Sequence, residues 1–484
     1  MRLSASAFSA SAFFALAAAS GQPFWNQSFE YAYFSDVAIT LAAALPGGAA
    51  FALGTALNKP HIFQAYDATG AALFSVTDNR SGAAFTTASA RHAESSPAGA
   101  VDLALIAYYW DGSIQPDFGL ACVVTGFASS SAAPVTPVWT FSTNASLGCS
   151  PSSLSFSDDG STVALAAMAD DGTGTLVATL FVLHGQTGAL AWSTSLDAGV
   201  AKQGGAVWLT ARGSWLVHSH TAGSAGGYSV DVRSAADGSM RGSVAEGWNT
   251  PGMLSEDGVY LVVGGQDNCM FYNFSAGAYQ PALPRFYPGD GTGERRPALR
   301  RRGSCVAARR RLDLSSPLLP APLPPPPSRN TDWYVNDIAV TSDGSGAADA
   351  ELVSLAWSRF DQRQARVTTL SMVTGAVLTD WLSPVNADQL GNGARLAMDG
   401  AFTGVALQGD NADSPTAVVL AAGSSTPLLS FTSRGSMNSA ALVVESAAAS
   451  LVFAVAGKAC NNNVACMGSD AFAWRLAAPN ATRA

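Results

Sequence analysis

The chain has 484 residues, of which 13% are charged, 48% are hydrophobic and 47 are glycine, with a formal net charge of −9. That balance excludes a largely disordered chain and suits many short, half-buried strands joined by tight turns. An acidic body also argues against a nucleic-acid partner, whose phosphates are met by basic grooves, and the length permits one large all-β unit.

Met1-Arg2 precede an uncharged stretch rich in Ala, Phe and Leu that ends in small residues up to Ser20. This is the layout of a secretory signal peptide over residues 1–20. A transmembrane helix is the competing reading, disfavoured by the shortness of the apolar part and by the polar Gly21-Gln22-Pro23 that follow. The product is expected to be secreted or held in the secretory-pathway lumen, with no membrane span once the leader is removed. Acceptor triplets for N-glycosylation at Asn26, Asn79, Asn144, Asn273 and Asn480 agree with that compartment. So do six cysteines, with Cys460 and Cys466, and Cys122 and Cys149, as candidate disulfides; Cys269 and Cys305 remain, and free thiols are the alternative.

Residues 24–31 read as a lone strand, after which two turn patterns recur. One is a Thr-Gly turn leading into a strand with an aromatic residue: Asp67-Ala68-Thr69-Gly70 with Phe74, Gly185-Gln186-Thr187-Gly188 with Trp192, and Met372-Val373-Thr374-Gly375 with Trp381. Ala236-Asp237-Gly238 is a degenerate copy, and Trp139 joins Phe74, Trp192 and Trp381 as an aromatic expected to dock one repeat on the next. The other is an Asp-Gly hairpin turn, at Asp159-Gly160, Asp257-Gly258, Asp343-Gly344 and Asp399-Gly400. Gly160 and Gly258 lie 98 residues apart and Gly188 and Gly238 lie 50 apart, so the unit is about fifty residues.

Such a period with four strands per unit predicts a β-propeller of four-stranded blades, with eight blades the first reading and seven the second. Units begin near Val37, Gly82, Ser152, Gly205, Thr250, Trp333, Asn392 and Ser436, and the propeller spans residues 24–480. The apolar stretch 440–457 reads as two strands of the last unit, because Glu445 within it would be costly in lipid. That last unit shows only three strands. The lone strand before the first unit is expected to supply the fourth and close the ring, removing an open edge.

The third unit, from Ser153-Leu154-Ser155-Phe156 through Thr187-Gly188 to Trp192, resembles the repeat of the quinoprotein alcohol dehydrogenase-like propellers in degenerate form. The resemblance covers that unit well and the first and sixth in part, and WD40-like propellers are the nearest alternative. It implies an eight-bladed ring whose enzymes carry adjacent cysteines and a calcium site beside a quinone. No two cysteines are adjacent here and no set of calcium ligands can be assigned, so no cofactor is expected, with calcium and quinone the disfavoured alternatives.

Residues 289–330 break the pattern with Arg300-Arg301-Arg302, Arg309-Arg310-Arg311 and seven prolines between Ser315 and Ser328. Gly258 and Gly344 are 86 apart, and setting aside the 36 residues 293–328 leaves 50, one period. A disordered basic loop, a functional basic patch and a retained intron in the gene model all fit this stretch. Without 293–328, 18 basic and 33 acidic residues remain, a net of −15.

No nucleophile elbow, zinc-binding helix or phosphate loop occurs, and no catalytic residue is assigned. His218 and His220 share a strand face, but no carboxylate nearby in sequence completes a metal site, so they read as packed core residues and no metal ligand is assigned. The turn Asp170-Asp171-Gly172 reads as a solvated hairpin, and Tyr108-Tyr109-Trp110 and Trp333-Tyr334 as core aromatics with sugar stacking the alternative. The expected function is therefore a noncatalytic module binding a protein or glycan partner. A secreted propeller enzyme, a hydrolase or degenerate quinoprotein, is the alternative.

Overall fold

The computed structural model describes residues 21–29, 37–45, 48–55, 61–66, 69–78, 83–90, 103–109, 121–128, 137–143, 149–170, 176–196, 205–222, 227–245, 252–265, 268–283, 286, 333–341, 351–359, 364–384, 394–408, 414–445, 449–459 and 469–477. Among them every regular element is a strand, and no helix is long and apolar enough to cross a membrane.

The strands form eight four-stranded antiparallel sheets. Seven are contiguous meanders, covering residues 37–78, 83–142, 149–195, 206–244, 253–281, 333–382 and 394–431. The eighth takes three strands from 437–477, and its outermost strand is Trp25–Phe29, which pairs antiparallel with Ser469–Ala477 from Trp25 opposite Ala473 to Phe29 opposite Ser469. We number these blades 1 to 8. The inner strand of each blade, its first in sequence, packs towards its neighbours in order, and the inner strand of blade 8 (Met437–Glu445) meets that of blade 1 (Val37–Leu45).

Alternation along each strand buries both faces, so the core is a set of layers between blades. One layer, of Ala164, Ala166, Leu180 and Val182 against Val207, Leu209 and Leu216, joins blades 3 and 4. Others join blades 2 and 3, 4 and 5, 5 and 6, 6 and 7, 7 and 8, and 8 and 1, and the largest fully buried side chains among the described residues, Trp357, Trp474 and Phe453, lie in blades 6 and 8.

The turns explain the two sequence patterns. Gly160 and Gly258 have φ of 72°, the left-handed region that glycine enters without steric cost. In each turn the serine two residues before the Asp donates its hydroxyl to that carboxylate, Ser157 to Asp159 at 2.7 Å and Ser255 to Asp257 at 2.6 Å. Blade 4 builds the same turn from Thr210 to Gly213 without an Asp, which hid it from the sequence pattern. In the second pattern Thr187 accepts from Ala189 N–H and Thr374 from Ala376 N–H, while in the degenerate copy Asp237 accepts from Ser239 N–H at 3.0 Å. Thr and Asp do the same work there.

Blades are joined by 4 to 11 residues between outer and inner strands, with one exception. Between Pro281 and Trp333 run 51 residues, and the basic, proline-rich stretch 289–330 falls inside that connection and outside the described residues.

Candidate functional site

All eight inner strands run in the same direction around the ring, so their first residues share one face. Because the sheets are antiparallel meanders, the connections between blades and those from second to third strands leave from that same face. Connections are where binding residues concentrate on a rigid scaffold.

At this mouth the inner strands are irregular. Register shifts fall at Thr86, Ser152, Asn336 and Asn438, each an extra residue in the inner strand of blades 2, 3, 6 and 8. A bulge sets two residues of one strand opposite one of its partner and re-aims their side chains. Here each bulge begins a polar pair: Thr86-Thr87, Ser152-Ser153, Asn336-Asp337 and Asn438-Ser439.

The second member of such a pair reaches the next blade. Ser153 Oγ accepts from Val207 N–H at 3.1 Å, and Asp337 Oδ2 accepts from Leu396 N–H at 2.9 Å. Ser155 with Leu209 doubles the first of these, and Ser219 with Gly252 and Asp399 with Val444 repeat the device across other junctions. These bonds fix the relative height of neighbouring inner strands. Burial pushes the Asp337 carboxyl above its ordinary value, opposed by the Arg395 charge and the Leu396 and Ile338 N–H groups.

The first members line the mouth of blades 6 to 8. Arg395, exposed on the inner strand of blade 7 (Ala394–Asp399), donates Nη1 to the Asn336 carbonyl at 3.2 Å. Gln408, at the end of the second strand of blade 7, donates Nε2 to Asn438 Oδ1 at 3.1 Å. Asn336 Nδ2 is buried without a hydrogen-bond partner. The arrangement is a polar arc across three blades, with an exposed guanidinium at its centre.

A second polar group lies between blades 3 and 4. His220 Nε2 sits 3.3 Å from Asp231 Oδ2 and its Nδ1 is 3.1 Å from the Thr221 carbonyl, while Arg233 closes on Asp231 at 3.4 Å. The His218 ring lies 4.9 Å from that of His220, tilted by 33°. The sequence reading found no carboxylate for these histidines; the hairpin supplies one, since Asp231 on the third strand stands opposite His218. Burial presses the His220 pKa down, but the bonds to Asp231 and Thr221 outweigh it and raise the pKa overall. Among the described residues no group of three or more His, Cys, Asp or Glu side chains is arranged to hold a metal ion.

The aromatics picked out in the sequence sit at blade junctions. Trp139, in the outer strand of blade 2, lies over the Gly188 turn of blade 3 and donates its indole N–H to Gly185 O at 2.8 Å. Trp192 does the same one blade on, over Gly238, bonding Ala235 O at 2.8 Å. Trp25 of the closing strand covers Gly70, and Trp381 is buried between blades 6 and 7. Phe74 stands opposite Ala65 in the outer strand of blade 1, its side chain outside the described set. At blades 4 and 5 the device is inverted. Gly242 occupies the aromatic position, and Tyr279 of blade 5 fills the space and donates to Gly258 O at 2.8 Å.

Cys122 is buried; the Cys149 side chain, Cys460 and Cys466 lie outside the described residues. Cys269 is a buried free thiol, and burial raises its pKa. Asn26 is exposed and Asn273 half-buried, while Asn79, Asn144 and Asn480 are not among the described residues, nor is the leader segment 1–20. Trp333 is buried, with the Arg359 guanidinium 5.9 Å from its ring, and Tyr334 is half-buried. Tyr108 and Tyr109 end the second strand of blade 2, and Asp170 ends the second strand of blade 3.

No family model matches the chain, and no curated protein matches it. Among solved structures it is similar to Sqt1 of Saccharomyces cerevisiae, at 10% identity over 94% of this chain and 98% of that one, with a TM-score of 0.49. It is similar to the quinohemoprotein alcohol dehydrogenase ADHIIG of Pseudomonas putida HK5, at 9% identity over 96% and 78%, with a TM-score of 0.45. It also matches prolyl oligopeptidase B of Galerina marginata, at 10% identity and a TM-score of 0.47, with 89% of this chain covered; the chain spans only 56% of that protein. At these identities the likeness is one of fold.

Proposed function

We propose that the protein is a secreted binding module that takes an oxygen-rich ligand, the carboxylates or hydroxyls of a glycan or protein partner, at the mouth of blades 6 to 8. The observation that carries this is the arc of Asn336, Arg395, Gln408 and Asn438. Bulges re-aim the two asparagines, and Arg395 is exposed, held by its bond to Asn336 O and by the Asp337 charge. A guanidinium pairs well with carboxylates because its fork presents parallel donors. The ring beneath it is rigid and latched, which lowers the ordering cost of binding.

The test is binding of the purified full chain to an array of neutral and acidic glycans, alongside cross-linking to extracellular proteins. Arg395→Ala is expected to weaken the captured ligand about tenfold or more, near 1.4 kcal/mol, with unchanged melting. Equal binding by this variant would place the ligand elsewhere and overturn the assignment.

A further inference from the structure

The strand that closes the ring differs from every other outer strand: it belongs to its sheet by pairing alone. Trp25–Phe29 has no turn joining it to Ser469–Ala477, and five register pairs hold it. Its other edge is open. Some other outer strands carry a charge or a proline that discourages a further strand from adding, such as Pro281 in blade 5 and Asp380 in blade 6, while those of blades 2, 3 and 7 carry neither. The closing strand, Trp25-Asn26-Gln27-Ser28-Phe29, has neither charge nor proline.

It does have an acceptor triplet. Trp25 is buried against Tyr66 of blade 1, with ring centroids 4.8 Å apart, and alternation turns Asn26 outward. Asn26 is exposed while its backbone stands opposite Phe472, so a substituent on its amide leaves the pairing intact. Ser28, the third residue of the triplet, is exposed too and donates to Asp470 Oδ1 at 2.7 Å. Asn273 is different. It is half-buried in an interior strand, between Tyr260 and Gln280.

We propose that Asn26 carries an N-linked oligosaccharide and that this sugar shields the open edge of the closing strand from a strand of a second molecule. The proposal rests on the secretory reading above. A bulky, hydrated chain rooted at the second residue of a five-residue edge leaves no room for a fifth strand to lie along it.

The test uses the full chain expressed in a glycosylating eukaryotic host. Glycopeptide mass spectrometry is expected to find sugar on Asn26. Asn26→Gln is expected to lose one oligosaccharide and to self-associate in light scattering at concentrations where the wild type is monomeric. Enzymatic deglycosylation of the folded wild type is expected to reproduce that association without any substitution. Sugar at another acceptor with Asn26 bare would overturn the assignment, and deglycosylated protein that stays monomeric would overturn the shielding role. A product bare at every acceptor would defeat the secretory reading itself.

Discussion

The ring of Trp139 occupies the space a side chain on Gly188 would need: a Cβ built there falls 2.5 Å from the indole. The two residues belong to different blades, and Gly188 also has φ of 66°, so neither space nor backbone admits another residue. Gly188→Ala is expected to cost about 2–4 kcal/mol, the sum of left-handed strain and overpacking. Trp139→Ala is expected to cost about 3–5 kcal/mol. Chemical unfolding of the two variants and their double mutant checks this, and additive losses would show that the pair does not act together.

The His220–Asp231 pair makes stability depend on pH. The folded His220 pKa lies above its ordinary value, so its contribution is complete below that value and is lost as pH rises through the raised one. The folded Asp231 pKa is lowered; burial opposes the shift, and the bonds to His220 and Ser243 carry it. Its contribution is present above the ordinary carboxylate range and fades as pH falls through the lowered value. Melting temperature is therefore expected to peak at mildly acidic pH and to decline through neutrality, and His220→Gln is expected to flatten that decline. An unchanged slope in the variant would refute the assignment.

Cys122 is buried in the third strand of blade 2, and Cys149 begins the neighbouring inner strand on the same face of the ring. A non-reducing digest is expected to link the two. Cys122→Ser is expected to cost about 2–4 kcal/mol. A linkage to any other cysteine would reassign the bond.

Ala276 has φ of 51° in the hairpin before Gly277, a strained position for a residue with a Cβ. Ala276→Gly is expected to stabilise the protein by about 0.5–1 kcal/mol. A loss of stability in thermal melts would contradict this.

The 51-residue connection stands apart from joins of 4 to 11 residues elsewhere. Deleting 293–328 leaves 15 residues there, close to the longest of them. The shortened chain is expected to fold with a single cooperative transition at the wild-type temperature. Failure to yield a folded product would show that the ring needs the stretch.

Much of the ring was legible because its signals are local. Inner strands begin at Val37, Ala83, Cys149, Ala206, Met253, Trp333, Ala394 and Met437, each within three residues of the unit starts read from the period. Turn glycines and alternating apolar residues act over a few positions, so they survive in a single sequence. The mouth was not legible for the opposite reason. Asn336-Asp337 and Asn438-Ser439 look like ordinary polar pairs until a bulge sets them opposite one partner residue. Asp231 meets His220 only through strand pairing, and the exchange of Gly242 with Tyr279 makes sense only across a blade junction.

The closing strand also sets a schedule for synthesis. Ser28 and Asp470, hydrogen-bonded in the finished ring, are 442 residues apart. At roughly 5–20 residues per second a ribosome takes about 20–90 s to cover that interval. Throughout it the first strand made waits for the last, and the apolar face of Trp25 has no final home. A nascent chain of this kind depends on the quality-control machinery of its compartment for longer than its size alone would suggest.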